Sequence, residues 1–291
     1  MTEYVPEKGD LKDLLDGLLQ GAIDTHIHGA PDIVPRRMSA NALARAAQEA
    51  GMAAILIKCH HVGTASAAQL AAENVTGLKV FGGVALNITV GGLSPHVVET
   101  QLKLGAKEIW MPTQSAVNDL EHGQGDLQRA VRLTDDSGSW LPELHLILEM
   151  IAQYDVILGT GHLHPEESEK LISLAQSKGV KRILFTHPEL VITKAPLEMQ
   201  KRLAKKGVLF ERTFYSSNPT PYPLLPVAAI AEQIKEVGVE STVVATDFGQ
   251  KTNDEPVVGM KRFIAELMGC GLKPAEIETM IKTNPASILG L

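Results

Sequence analysis

Apolar runs typical of strands alternate with amphipathic segments typical of helices along most of the chain. Leucines recur at helical spacing in residues 11–20, before the first strand-like run. Eight such runs follow, each with at least one helix after it, at residues 22–28, 53–60, 78–86, 108–113, 156–162, 182–187, 208–212 and 242–248. Because strands joined by helices run parallel in one sheet, this pattern predicts an α/β fold.

Eight units in a chain of 291 residues predict a (β/α)8 TIM barrel, formed by residues 1–291 as a single domain. An N-terminal helix precedes the barrel, and an extra C-terminal helix follows it from Pro274 to Lys282. The interval after the fourth strand is longer than the others, which predicts an insertion over residues 114–140. An open doubly wound sheet is the alternative arrangement of the same elements.

The first strand carries a polar residue at every second position: Asp24, His26 and His28. Alternate side chains of a strand share a face, so these three are predicted on one face, with Ile23 and Ile27 on the other. Two imidazoles about 6.6 Å apart along a strand are able to bind one metal ion. A pair of surface histidines on an edge strand is the alternative.

Composition and charge restrict the class of protein. The formal net charge is −7 and there is no basic block, which argues against a nucleic-acid partner. The two cysteines, Cys59 and Cys270, exclude a disulfide framework and suggest a reducing compartment. No signal peptide is visible, and no apolar stretch approaches the roughly 20 residues that span a bilayer. We expect a cytoplasmic protein with a small-molecule substrate and no membrane partner, and leave a homo-oligomer open.

Seven of the ten histidines lie at or just after predicted strand ends: His26, His28, His60, His61, His162, His164 and His187. In a barrel, the C-terminal strand ends carry the active site. Asp247 ends the eighth strand and Lys58 the second. Imidazole and carboxylate groups are the usual ligands of a catalytic zinc ion, which lowers the pKa of its water ligand towards about 7. The cluster therefore predicts a divalent metal site, most simply zinc, at the barrel mouth.

The order of these residues resembles that of the amidohydrolase superfamily of metal-dependent hydrolases. The sequence Asp24-Thr-His26-Ile-His28 lies on strand one, and His162, His187 and Asp247 follow at later strand ends. The closing segment, 284–291, is similar to the usual C-terminal helix of that superfamily. The His-x-His pair alone is a weak signal, whereas the whole order along the chain is specific.

The resemblance implies a role for each of these side chains. His26, His28 and His162 would bind the metal ion. Asp247 would bind the ion and act as general base on its water. His187 would bind a second ion or, with a single ion, polarise the substrate carbonyl. Asp24 is expected one layer deeper in the barrel, where it would orient a metal ligand.

Two departures from the superfamily pattern bear on the chemistry. Binuclear members usually carry a carboxylated lysine or a glutamate at the end of strand four, where this chain has Trp110-Met-Pro-Thr113. One ion is therefore favoured, and two are left open. The mononuclear deaminases carry a glutamate three residues after the strand-five histidine, where this chain has Pro165, which argues against purine deamination.

Three further side chains are predicted to take part in catalysis or substrate binding. Lys58 has three open roles: a bridging carbamate, a cation for an anionic substrate, or a salt-bridge partner. His60 shares the parity of Lys58 and is assigned to the substrate pocket. Either Glu211 or Arg212 should face the barrel. An inward Arg212 would bind a carboxylate or phosphate group, and a structural ion pair is the equal alternative.

The segment from Thr213 to Pro226, with Tyr215 and Tyr222, is predicted to form one wall of the pocket. Together these features predict a metal-dependent hydrolase whose activated water attacks an amide, lactone or related carbonyl group. A metal-dependent decarboxylase or lyase acting on a small carboxylic acid is the enzymatic alternative. A non-catalytic ligand-binding barrel is the alternative from another functional class.

Overall fold

The computed structural model describes residues 8–218 and 223–291. Eight parallel strands form one sheet in the order of the sequence. They are β1 (Ile23–His28), β2 (Ala54–Lys58), β3 (Lys79–Ala85), β4 (Glu108–Trp110), β5 (Ile157–Gly159), β6 (Ile183–Thr186), β7 (Leu209–Thr213) and β8 (Thr242–Ala245). β8 meets β1 through a bridge between Ile27 and Phe248, and the His28 amide donates to the Phe248 carbonyl at 2.7 Å. The prediction of a (β/α)8 barrel is confirmed.

Helices surround the strands as the amphipathic segments predict. They are α1 (Lys8–Leu19), α2 (Ala40–Glu49), α3 (Ala65–Ala72), α4 (Pro95–Lys103), α5 (Val117–His122), α6 (Pro142–Tyr154), α7 (Pro165–Ser177), α8 (Leu197–Ala204), α9 (Val227–Val237), α10 (Pro256–Gly269), α11 (Pro274–Glu278) and α12 (Asn284–Leu289). The insertion contains α5 and a 3₁₀ turn at Leu127–Arg129. Within residues 8–218 and 223–291, no helix is long and apolar enough to cross a membrane.

The lower half of the barrel is a packed apolar core. Side chains near the starts of the strands fill it, among them Ile23, Leu56, Ile157 and Val243. Helix α12 adds Ile288 and Leu289 to the same cluster, at the end of the barrel where the strands begin. His26, His28 and Asp247 lie at the opposite end, which carries the active site in other barrels of this type.

The strict alternation predicted for β1 is wrong. The pairing register between β1 and β2 shifts between Asp24 and Ile27, and such an irregularity changes which face each side chain occupies. Ile23 packs inside the barrel, whereas Asp24 lies beside Ile27 and Leu43, between the barrel and the helices. The position predicted for Asp24, deeper inside the barrel, is therefore also wrong.

Asp24 instead ties β1 to β8. Its carboxylate accepts hydrogen bonds from the backbone amides of His26 at 3.2 Å and Thr246 at 3.1 Å, and from Thr246 Oγ1 at 2.6 Å. Burial raises the pKa of Asp24 to about 7. These bonds fix the end of β8 immediately before Asp247.

Two of the candidate site residues lie on loops with an unusual backbone. β6 and β8 end at Thr186 and Ala245, so His187 and Asp247 follow the strands, with φ angles of 26° and 54°. The left-handed region is uncommon for residues other than glycine and costs on the order of 1 kcal/mol or more. Strain of this kind clusters at functional sites, where the surrounding structure holds it in place.

Gly249 shows why the chain after Asp247 needs a glycine. Its φ is 142°, and a Cβ atom there would clash with the carbonyl oxygen of His28. The loop after β8 therefore passes directly over the end of β1.

Candidate metal centre

His26, His28 and Asp247 converge at the C-terminal end of the barrel. The Nε2 atoms of His26 and His28 lie 3.1 and 2.9 Å from Asp247 Oδ1. All three residues are buried, and His26 Nε2 makes no hydrogen bond with any residue that the structure describes. Ligand atoms at this spacing fit a single ion bound at about 2.0–2.2 Å. A set of three protein ligands with an open position is typical of catalytic zinc sites.

The charges of this group suit metal binding. Burial lowers the pKa of His28 to about 3, so its imidazole is neutral at physiological pH. Burial alone would raise the pKa of Asp247, but the adjacent His26 and His28 hold it well below its usual range. His26 differs, because the charges of Asp247 and Glu211 outweigh burial and raise its pKa. A proton and a metal ion therefore compete for His26.

Glu211 on β7 orients His26. Its Oε2 lies 2.8 Å from His26 Nδ1, and its Oε1 accepts a hydrogen bond from Thr25 Oγ1 at 2.9 Å. With Nδ1–H donated to the carboxylate, the lone pair of Nε2 faces Asp247. A carboxylate behind a metal-binding histidine fixes its tautomer and its ring plane. The sequence predicts only that either Glu211 or Arg212 faces the barrel interior, and it predicts no role for Glu211.

We expect Glu211→Gln to weaken metal binding about 10- to 100-fold, as the loss of such supporting carboxylates usually does. The amide keeps the size of the side chain but removes the charge that favours Nδ1–H on His26. Competition with a chelating dye measures the affinity, and Glu240→Gln, at an exposed position, is the control. An unchanged affinity in Glu211→Gln would show that Glu211 does not support the ligand.

His162 and His187 lie beside the three-residue group rather than in it. Their ring centroids are 4.9 Å apart, and the His187 ring is 6.1 Å from that of His26. Both line a small cavity of about 150 Å³ together with His60, Tyr215 and Asp247. His162 Nδ1 lies 3.3 Å from Asp119 Oδ2 of the insertion. Three of the five predicted ligands therefore meet at one point, and two stand at the wall of the same chamber.

The hydrogen bonds of His187 distinguish between its two predicted roles. Thr193 Oγ1 donates its only hydrogen to the backbone oxygen of His187. In its contact with His187 Nδ1, at 3.1 Å, the hydroxyl therefore accepts, and Nδ1 carries the proton. Burial keeps the pKa of His187 well below its usual value, so the ring is neutral. A neutral ring with Nδ1–H carries a lone pair on Nε2. Such a ring is suited to bind a cation or accept a proton, and it is poorly suited to donate a hydrogen bond to a carbonyl.

Lys58 lies fully buried inside the barrel, and it is not among the residues that line the chamber of His162 and His187. Within the described part of the chain its Nζ has no hydrogen-bond partner, and it lies 5.2 Å from the centroid of the Trp110 ring. Burial lowers the pKa of Lys58, while the charges of Asp247, Glu211 and Glu108 act in the opposite direction. Lys58 is thus a buried group on which three acidic residues act, and among residues 8–218 and 223–291 it forms no salt bridge, which was one of its predicted roles.

His60, which the sequence predicts to bind the substrate, lies at the chamber wall. Its ring stacks on that of His28 with centroids 4.9 Å apart, and its Nδ1 lies 2.8 Å from Thr113 Oγ1. His61 instead pairs with Asp32 at 2.8 Å. Asp32, Cys59 and His61 form a second group of potential metal ligands, but Asp32 is already paired with Arg36 at 2.6 Å.

Arg212 is placed away from the chamber. Its guanidinium group is buried against Glu189 and donates to Gln200 Oε1 at 3.0 Å. This ion pair corresponds to the structural alternative rather than to the predicted substrate-binding role. Tyr215 lines the chamber, whereas Tyr222 lies outside the described residues.

Sequence comparison gives a family for this barrel. Residues 21–211 match the model of a family described as a family of unknown function, DUF6282. The chain belongs to this family. No curated protein matches its sequence significantly.

The fold of this chain is similar to that of several solved structures. An amidohydrolase from Pseudomonas aeruginosa is similar over 96% of this chain and 98% of its own, with a TM-score of 0.61 and 13% identity. A probable 2-pyrone-4,6-dicarboxylic acid hydrolase from Acinetobacter baumannii, with citric acid bound, is similar over 93% of this chain and 100% of its own, with a TM-score of 0.59 and 14% identity. An N-acetyl-D-glucosamine-6-phosphate deacetylase from Mycobacterium smegmatis is similar over 94% of this chain and 76% of its own, with a TM-score of 0.56 and 14% identity. The barrel of this DUF6282 protein thus shares the fold of amidohydrolase-superfamily enzymes.

Proposed function

We propose that this protein is a metal-dependent hydrolase that cleaves an amide, lactone or related ester bond in a small molecule. The observation that carries the proposal is the convergence of His26 Nε2, His28 Nε2 and Asp247 Oδ1 at the barrel mouth. These residues would hold a divalent ion, and zinc suits their nitrogen and oxygen donors. When bound, such an ion supplies an activated water and polarises a carbonyl oxygen.

Asp247 is placed to move the proton of the attacking water. Its Oδ1 faces the two imidazoles, while its Oδ2 makes no hydrogen bond among residues 8–218 and 223–291. The residue also lines the small chamber. Asp247 would therefore take the proton at Oδ2 and pass it to the leaving nitrogen or oxygen. Hydrolysis is then balanced, because water supplies the hydroxyl group to the acyl carbon and the proton to the leaving group.

His187 and His162 would complete the chamber. The lone pair on His187 Nε2 supports a role as a further ligand or proton acceptor rather than as a carbonyl polariser. His162, which lies beside Asp119 of the insertion, would bind the ion or the substrate. His60 would contact the substrate from the chamber wall.

The position of Lys58 supports one ion rather than two. Burial lowers the pKa of Lys58, but the charges of Asp247, Glu211 and Glu108 favour its ammonium form, and that form would disfavour a second cation nearby. We therefore propose that Lys58 acts electrostatically from beneath the site. The carbamate alternative would show as a second ion and as a dependence of activity on bicarbonate.

The fold neighbours support the reaction class. Those compared above include an amidohydrolase, a dicarboxylic acid hydrolase and a deacetylase, and each name describes a hydrolytic reaction at a carbonyl group. A cytoplasmic location is proposed as well. Both cysteines are free, as expected in a reducing compartment.

A substrate panel with defined metal content tests the proposal. We expect zinc-loaded protein to hydrolyse at least one class among N-acyl amides, lactones and aryl esters, and we expect the activity to disappear after dialysis against a chelator and to return with zinc. Release of carbon dioxide from small carboxylic acids, without hydrolysis, would contradict the hydrolase and support the decarboxylase alternative. Hydrolysis that survives removal of the metal would contradict the metal-dependent mechanism.

A further inference from the structure

The chamber at the metal centre is too small to hold a whole substrate. Its volume is about 150 Å³, whereas pockets that bind small molecules are typically about 300–1,000 Å³. The reacting carbonyl group and one small substituent fill such a space. The rest of a substrate must lie in an adjoining part of the barrel mouth.

A second and larger cavity adjoins this chamber. Its volume is about 430 Å³, within the range of ligand pockets. His60 and Gln114 line both cavities and so mark the boundary between them. A third cavity of about 450 Å³ beside Trp140 and His164 shares no lining residue with the metal chamber, so its size alone does not make it part of the site.

The larger cavity is formed by one half of the barrel mouth. The loops after β1, β2 and β3 provide Ile33, His61 and Ile88, and the insertion after β4 provides Leu120. The candidate metal-centre residues come instead from β1 and from the loops after β5, β6 and β8. Metal chemistry and the second cavity therefore occupy largely separate sets of loops that meet at His60 and Gln114.

The lining of the second cavity favours an apolar occupant. Ile33 is 74% exposed and Ile88 is 41% exposed, although both are large apolar side chains. One polar group of the wall is already engaged, because Asn87 Oδ1 accepts hydrogen bonds from the amides of Thr113 and Ser115, at 2.8 and 2.9 Å. An apolar group in this space would cover Ile33 and Ile88 and leave those hydrogen bonds intact.

We propose that this cavity is the subsite for a bulky apolar, ring-sized part of the substrate, whose scissile carbonyl lies at the metal centre. The proposal has a catalytic half, cleavage of the carbonyl group at the metal centre, and a binding half, the apolar group in the cavity. The catalytic half rests on the proposed hydrolase function. The binding half stands independently of it, because none of His26, His28 and Asp247 lines this cavity. The preferred substrate would be an amide or ester with one small and one aromatic or similarly large apolar substituent.

A pair of esters and a product-like ligand test the subsite. The probes are 1-naphthyl acetate, methyl acetate and 1-naphthol. Ile88→Trp fills the cavity, Leu120→Trp does the same from the insertion, and Leu146→Trp is the control, at a 52% exposed position on α6 that lines none of the three cavities. We expect Ile88→Trp to weaken 1-naphthol binding about tenfold and to lower the ratio of kcat/KM for naphthyl over methyl ester about tenfold. Leu146→Trp should change neither quantity.

The outcomes separate the subsite from the hydrolase. Binding of 1-naphthol that is lost in both cavity variants, without hydrolysis of either ester, would support the subsite and contradict the proposed function. Folded Ile88→Trp and Leu120→Trp proteins that bind 1-naphthol like the wild type would overturn the subsite. Absence of saturable 1-naphthol binding by the metal-free wild-type protein would also overturn it.

Discussion

Asp247→Asn is expected to reduce kcat by about 10²- to 10⁴-fold, the usual contribution of a general base. Asparagine keeps the shape of the side chain and an oxygen that can face His26 and His28. It cannot take up a proton at neutral pH, and its amide oxygen binds a divalent ion less strongly than a carboxylate does. Turnover should therefore be lost even where enough metal is supplied to load the site.

Three measurements make this result specific to the reaction. Metal content and thermal unfolding show whether the variant is loaded and folded, and steady-state kinetics give kcat. Asp254→Asn is the matched control, because Asp254 pairs with Arg262 at the surface, and it should retain wild-type turnover. A loaded Asp247→Asn protein with more than about a tenth of wild-type kcat would exclude Asp247 as the general base.

The barrel could be predicted from the sequence because its signal is repeated eight times. Each apolar strand and amphipathic helix follows from local periodicity, and parallel strands that close into a barrel bring their C-terminal ends together. For the same reason, histidines and an aspartate at several strand ends could be expected to meet. His26, His28 and Asp247, which are up to 221 positions apart in the sequence, meet as that argument requires.

The details that failed depend on pairing rather than on local pattern. The shift of register at β1 depends on how β1 pairs with β2, so alternation alone placed Asp24 on the wrong face. Glu211 and Arg212 are consecutive charged residues near the end of β7. Alternation of side chains predicts that one of them faces the barrel interior, but it does not indicate which one. Glu189, in the loop after β6, and Gln200, on α8, bind the guanidinium group of Arg212 and direct it away from the chamber. No motif in the sequence links these two residues to Arg212.

The arrangement of the five predicted ligands could not be derived from sequence for a similar reason. His187 follows β6 with a φ angle of 26° and is bonded to Thr193, six residues further on. This backbone holds the ring at the chamber wall rather than in the group of His26, His28 and Asp247. No residue pattern in the sequence indicates that conformation.

Loss of a single histidine should remove the metal ion. His28 provides one of three closely spaced ligand atoms, so its loss would leave only His26 and Asp247 in that group. We expect His28→Ala to retain less than about 0.1 ion per chain and no measurable metal-dependent turnover. His96→Ala is the matched control, because His96 is exposed on α4, and its metal content should equal that of the wild type.

Metal analysis of the protein purified without chelators tests the central claim most directly. Elemental analysis by mass spectrometry should find about one divalent ion per wild-type chain and almost none in His28→Ala. About two ions per chain would keep the metal centre and contradict the electrostatic role of Lys58. Less than about 0.3 ion per wild-type chain, or equal metal content in wild type and His28→Ala, would contradict a metal centre built from His26, His28 and Asp247.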